Sequence, residues 1–314
     1  MSHEVETMAY AGEVPWHGLG VQVRNDLTPE QMMVKAGLDW SVEKEDMYLS
    51  SGQKVSGKKA LVRNSDEKIL DIIGDDWNPV QNIEAFKFFN DYVMAGDMDM
   101  ETAGSLKGGK NVFALAKVKE SFSINGDDKV DNYLLFSNPH EYGKAIDIRM
   151  TAVRVVCHNT LTFSLQSSSA NFVKLNHRTV FDPDLVKQQM GLASEKFTKY
   201  KEMAEFLSSR RFNAETLVNY YNDVFPHTYS KDKEVKTVDD LTKNGKAAMD
   251  VLYTQPGANY AEGSWWQALN SVTYLTDHKM GRSSESRMQS SWFGQNQARK
   301  MKAVNKALEY ATAA

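Results

Sequence analysis

Seven histidines, one cysteine and one glycine-lysine loop are the residues of this chain whose types offer chemistry. The histidines are His3, His17, His140, His158, His177, His227 and His278. None forms an HxxxH, HxH or HExxH pattern, so a metal site would have to gather ligands from distant segments. Cys157 stands next to His158 in VRVVCHNTL. Neighbouring side chains diverge in both helix and strand, so this pair does not read as a nucleophile and its base. The apolar run before Cys157 predicts a buried, inert thiol, and a single cysteine excludes an internal disulfide. No GxSxG nucleophile elbow occurs. No catalytic residue, resident metal or cofactor is assigned on this basis.

The loop GSLKGGK, residues 104–110, carries three glycines with Lys107 and Lys110. Glycines let a backbone approach a phosphate closely, and the lysines add charge. Asn111 follows Lys110, so the Walker pattern fails. A flexible hairpin tip with solvated lysines is the competing explanation.

Charge is segregated along the chain. The whole carries −4, from 37 Lys and Arg against 41 Asp and Glu, which excludes a generally basic nucleic-acid coat. Residues 65–101 hold ten carboxylates against Lys68 and Lys87. Asp75-Asp76 and Asp97/Asp99 are conceivable divalent-cation ligands, but EF-hand spacing is missing and a solvated face explains them. Residues 143–181 carry Lys144, Arg149, Arg154, Lys174 and Arg178 against Asp147 alone. Residues 278–314 carry seven cations against Glu285 and Glu309, with Arg299, Lys302 and Lys306 on one helical face. Such a face tracks phosphates. Trp265, Trp266, Tyr274, Trp292 and Phe293 flank it, and Trp266 and Trp292 are candidates for base stacking, with core packing as the alternative.

The elements that must position these groups fall into two kinds. Residues 1–20 read as an ordered loop. Thr28, Pro29 and Gln31 open a helix with a capping box, closed by Gly37. Residues 40–50 and 58–63 look extended, and 62–73 reads as a hairpin around NSDE. A helix is expected over 82–95 with Asn82 as cap. Strands at 98–103, 111–119, 129–138 and 144–154 have strong turn sequences between them and form an antiparallel meander. A helix over 157–166 and a strand over 171–176 follow. From Asp182-Pro183 onward the pattern is helical, at 183–208, 214–225, 238–253, 263–277 and 285–312. Val186, Met190, Ala193, Phe197, Tyr200, Ala204 and Leu207 form a heptad seam, for packing inside the chain or against a second copy. The expected class is α+β: an antiparallel β-meander with packed helices over 1–180, then an all-helical half over 181–314. No apolar run spans a membrane, and the N-terminus lacks signal-peptide features, so a cytoplasmic setting is expected.

Several strings taken together resemble a known family. They are AYAGEVPWHGLG, TPEQMMVKAGLDWSVEK, ETAGSLKGGKNVFALAKV, AVRVVCHNTLTFSL with NHRT, and SWWQALNSVTYLTDH. The family is the phage/plasmid-like group built on domain of unknown function 932. The resemblance implies a mobile-element protein and carries no catalytic residues over. Its most motif-like positions are Trp16, His17, Gly18, Gly20, Gly104, Lys107, Gly108, Arg154, Cys157, Asn159, Thr160, His177 and Arg178.

Three functions are open at this point. The leading expectation is a non-catalytic, homo-oligomeric protein that binds nucleic acid, single-stranded DNA first, and serves annealing or recombination. Its meander followed by a helix loosely resembles the core of single-strand annealing proteins. Lys107, Lys110, Arg149, Arg154 and Arg178 would grip phosphates, with Arg299, Lys302 and Lys306 beyond them. The second is a metal-dependent enzyme on nucleotides or nucleic acid, using His17 or His177 with acids of 65–101. The third is a host-interaction or anti-defence protein working through its helical half.

Overall fold

Thr28 accepts a hydrogen bond from Gln31 N–H while Gln31 Oε1 accepts one from Thr28 N–H, so the expected capping box opens the first helix. This is a computed structural model. It describes residues 5–12, 19–124, 128–154, 159–162, 172–178, 180–184, 186, 193–228 and 235–313. His17, Cys157 and His158 lie outside these residues. The class is α+β, with antiparallel strands first and helices after them.

In chain order the first elements are β1 (Val5–Ala11), β2 (Val21–Val23), α1 (Pro29–Lys35), β3 (Val42–Tyr48), β4 (Lys54–Arg63) and β5 (Lys68–Gly74). Then come α2 (Asn82–Lys87), α3 (Asn90–Met94), β6 (Met98–Leu106), β7 (Asn111–Ile124), β8 (Asp128–Pro139), β9 (Ile146–Arg154), β10 (Asn159–Thr162) and β11 (Phe172–Leu175). The helical part holds α4 (Ala193–Ser209), α5 (Ala214–Val224), α6 (Lys243–Asp250), α7 (Trp265–Tyr274), α8 (Ser284–Phe293) and α9 (Gln295–Ala313). Among the described residues, eight strands form one sheet of order β10-β9-β8-β7-β6-β1-β2, with β11 also on β9. β3, β4 and β5 form a second, antiparallel sheet. No described helix is long and apolar enough to cross a membrane.

Four expectations change. Residues 5–11 are a strand, not a loop, because β6 offers β1 an antiparallel partner from Leu106 to Thr102. The helix over 82–95 is two short helices capped by Gln81 rather than Asn82. Asn82 is spent elsewhere: its amide donates to the carbonyls of Leu38 (3.0 Å) and Trp40 (3.2 Å). Residues 159–162, expected to be helical, are strand β10 on β9, and the rest of the helix expected over 157–166 lies outside the described residues. The helix over 285–312 is broken at Gly294, whose backbone is extended.

By its internal contacts the chain groups into two compact units. One comprises Met1–Lys119, Tyr133–Met150 and Leu165–Gly191, the other Glu120–Asn132, Thr151–Ser164 and Leu192–Ala314. The boundary expected near 180 separates sheet from helices in element order, while β7, β8 and β9 each contribute residues to both units.

In the first unit Phe86, Phe88 and Phe89 are fully buried. Phe88 and Phe89 lie 5.4 and 6.1 Å from Phe136, and Phe136 lies 5.8 Å from Phe181. Each buried ring of this kind stabilises by roughly 1.5–3 kcal/mol. In the second unit every residue from Trp265 to Thr273 is buried, so α7 is an inner helix covered on all sides. Trp265 stacks on Tyr310 at 5.3 Å. Tyr200, Ala204 and Leu207 of the heptad seam are buried in this unit and so are used inside the chain. Lys300, counted among the basic residues of the last helix, is buried and donates to Asp277 at 2.8 Å.

Candidate functional site

Strand β4 has two halves with different surroundings. Ala60, Leu61, Val62 and Arg63 are buried, whereas residues 54–59 (KVSGKK) project into solvent. The projecting half pairs with the end of β3, Asp46 opposite Lys59 and Tyr48 opposite Lys54. A concavity of about 570 Å³ opens there, lined by Lys44, Lys54, Lys58, Lys59, Asp75 and residues 55–57.

The four lysines are held differently. Lys44 Nζ donates to the carbonyls of Asp75 (2.9 Å) and Trp77 (3.1 Å). Lys54 donates to Asp46 at 2.6 Å, and Lys59 closes on the other Asp46 oxygen. These two hydrogen bonds hold the Asp46 carboxyl below the usual carboxylate range. Lys58 lines the same concavity. Its ammonium lies over the Tyr142 ring, 5.4 Å from the centroid. Tyr142 and Tyr48 are about half exposed or more, at 49% and 60%. Cations alternating with exposed rings on one sheet suit a strand of phosphates and bases. Asp46, Asp75 and the exposed Glu43 and Glu45 of β3 offset this charge, and Asp71 accepts from Tyr142 N–H at 2.7 Å.

The residues singled out from sequence fare unevenly. Lys107 and Lys110 flank the β6–β7 hairpin tip, with Lys107 exposed. Lys107, Gly108 and Gly109 all have positive φ. The tip is fastened rather than loose: Lys68 donates to the Gly108 carbonyl at 2.8 Å, and a Cβ on Gly109 would meet Arg63 Nη1 at 2.7 Å. Arg149 is buried and bound to Asp147 through Nε (2.8 Å) and Nη2, so it is not presented to a phosphate. Arg178 is exposed. Arg154 is in β9, and its side chain lies outside the described residues.

In the second unit Arg299 donates to Asn296 at 2.8 Å, and Lys302 is exposed. Lys306 is tied to Asp223 (3.2 Å) and Glu309 (2.8 Å). Trp266 and Trp292 are 2% and 4% exposed, which removes both as stacking platforms. The Trp266 indole N–H donates to Asp128 at 3.0 Å. For Trp266 core packing won because an inner helix leaves no face for a base, while Trp292 is the inward side chain of the half-buried helix α8.

The lysine concavity was missed because no motif marks it. The visible signal was KVSGKK followed by ALVR, a strand that changes from polar to apolar midway. For the metal-enzyme alternative, no group of three or more His, Cys, Asp or Glu gathers among the described residues. His177 is 2% exposed and stacks on Trp77 at 4.1 Å, and burial lowers its pKa to about 4.

The family model described as domain of unknown function 932 matches residues 69–305. The chain belongs to that family. No curated protein and no solved structure matches it. The match in this domain of unknown function 932 protein begins inside β5. It takes in the hairpin tip and the helices from α2 to most of α9, but not α1, β3 and β4. The concavity's lysines thus precede the matched residues.

Proposed function

We propose that this protein binds single-stranded nucleic acid without catalysis, on the projecting part of β3 and β4. The observation that carries this is Lys58 over the exposed Tyr142 ring beside a concavity lined by Lys44, Lys54 and Lys59. Phosphates would sit against the ammonium groups, and bases against Tyr142 and Tyr48. A mobile-element setting, implied by the family resemblance, is one in which displaced strands must be held, and an annealing or recombination role is the finer form of this proposal.

The test is fluorescence anisotropy with labelled single-stranded DNA and RNA over a salt series. Binding at micromolar or tighter affinity that weakens with salt is expected. The double variant Lys58→Glu/Lys59→Glu should bind at least about tenfold more weakly, since each reversed charge repels a phosphate. Absence of binding at low salt overturns the proposal, as does full affinity in the double variant.

A further inference from the structure

The lysine concavity of β3 and β4 already holds an anion, and that anion is the chain's own. One Asp46 oxygen accepts from Lys54 Nζ at 2.6 Å, and the other accepts from Lys59. The ladder brings the three together, because Asp46 stands opposite Lys59 and Tyr48 stands opposite Lys54. A carboxylate with one ammonium on each oxygen occupies the place that a phosphate would take. The partners of Lys44 are two backbone carbonyls, and Lys58 lies over a ring, so neither meets a full negative charge there. Asp75 lines the same concavity, and its charge also acts on Lys54.

This internal anion sets a condition on any ligand. Asp46 has to give way before a phosphate reaches Lys54 and Lys59 together. Its side chain is 32% exposed, against 53% and 26% for the two lysines, and ion pairs this open to water are weak. Giving way therefore costs little. What decides the exchange is the charge that arrives. A phosphodiester inside a strand replaces one negative charge by another. A phosphate monoester at a strand end carries about −1.5 to −2 at pH 7, with three strong acceptor oxygens. Of the two, the monoester alone adds negative charge to the lysines.

On the reading of this concavity as a nucleic-acid site, we propose that it takes the phosphate monoester at the end of a single strand in preference to the phosphodiesters within it. Asp46 is the competitor that enforces the choice. The terminal phosphate sits against Lys54 and Lys59, and the terminal base reaches Tyr48 or Tyr142. A volume of about 570 Å³ is that of a small-ligand pocket, which suits one nucleotide at a strand end.

The test is fluorescence anisotropy on the full chain with internally labelled DNA strands of one sequence. One has hydroxyls at both ends, one a 5′-phosphate and one a 3′-phosphate. A fourth has hydroxyl ends and one nucleotide more, so it carries as many phosphates as the phosphorylated strands. A strand with a phosphate at one end should bind about fivefold more tightly than the fourth strand, for one further charge beside an ammonium in water. Asp46→Asn should raise the affinity of the hydroxyl strands and bring that ratio towards one. Glu30→Gln on α1 removes the same charge from another element and should leave the ratio as it is. If the native chain binds the strands but favours neither phosphorylated one, this proposal is overturned while strand binding itself stands. A preference that persists in full in Asp46→Asn has the same effect, as does weaker binding of the hydroxyl strands by that variant. Binding of no strand, by the native chain or by Asp46→Asn, overturns the reading of the concavity as well.

Discussion

Arg63 shows how much a single residue's role depends on distant neighbours. Its side chain is 8% exposed and holds Glu6 at 2.8 Å and Asp66 at 2.6 Å, with the guanidinium over the Trp40 ring at 5.2 Å. Burial raises the Glu6 pKa, but the Arg63 hydrogen bond and charge more than reverse this, and the same arginine draws Asp66 down to about 2. Both carboxyls thus titrate below their ordinary values of 4.5 and 3.8. The stability they contribute is present above those values and disappears as the pH falls towards about 2. Thermal melts should show a falling melting temperature across that window. Arg63→Met should lower the melting temperature at pH 7, because the carboxylates lose their partner, though by less than for a fully buried pair since both keep access to water. It should also flatten the acid limb; an unchanged limb would mean that other groups set it. In the sequence Asp66 is one of ten acids in a run. Its arginine is three residues away, but the burial that makes the pair matter comes from β1 and Trp40.

At the scale of elements, local chemistry was legible and termination by distant partners was not. The capping box of α1, the β4–β5 hairpin and strands β6 to β9 follow from short-range signals: a cap, alternation, turn residues. The breaks after Lys87 and at Gly294, and the strand at 159–162, depend on which partner claims the backbone. Gly104 is a case where the glycine's reason is visible only across the sheet. A Cβ there would lie 2.5 Å from the Thr7 carbonyl and 3.1 Å from Phe113, so β1 reaches β6 only because Gly104 lacks one. Gly104→Val should cost about 1–3 kcal/mol in a urea titration and release β1 amides to faster hydrogen exchange. Protection of β1 equal to that of the native chain would refute this contact. The Asp277–Lys300 pair joins the π turn after α7 (Leu275–Lys279) to α9, with both side chains at 1% exposure or less. Asp277→Ala should cost about 3–5 kcal/mol, and adding Lys300→Met should recover much of it by removing the stranded charge. A double variant no more stable than the single one would show that other partners of the two residues dominate.

Across the whole molecule, net charge and length bound the answer without locating the site. A total of −4 leaves room for local clusters of cations, and four lysines line the concavity of β3 and β4, ahead of both basic segments singled out by counting. If about three phosphates are neutralised there, log affinity for single strands should fall with log salt at a slope of about −2. A slope near zero would point to a contact that is not electrostatic. The family match spans most of the chain, Tyr142 and Asp75 included, and leaves the four lysines outside it, so relatives that share the domain need not share the binding.

The sequence by itself determined the α+β class, the meander, the capped first helix and the segregation of charge, because each rests on signals within a few residues. Only the tertiary structure decided which charged and aromatic residues face solvent. Arg149, Lys300, Trp266 and Trp292 are buried, while Lys54, Lys58 and Tyr142 are placed where a ligand can reach them or their neighbours. Burial is a sum over contacts from distant segments, and a charge is available for binding only after those contacts are made.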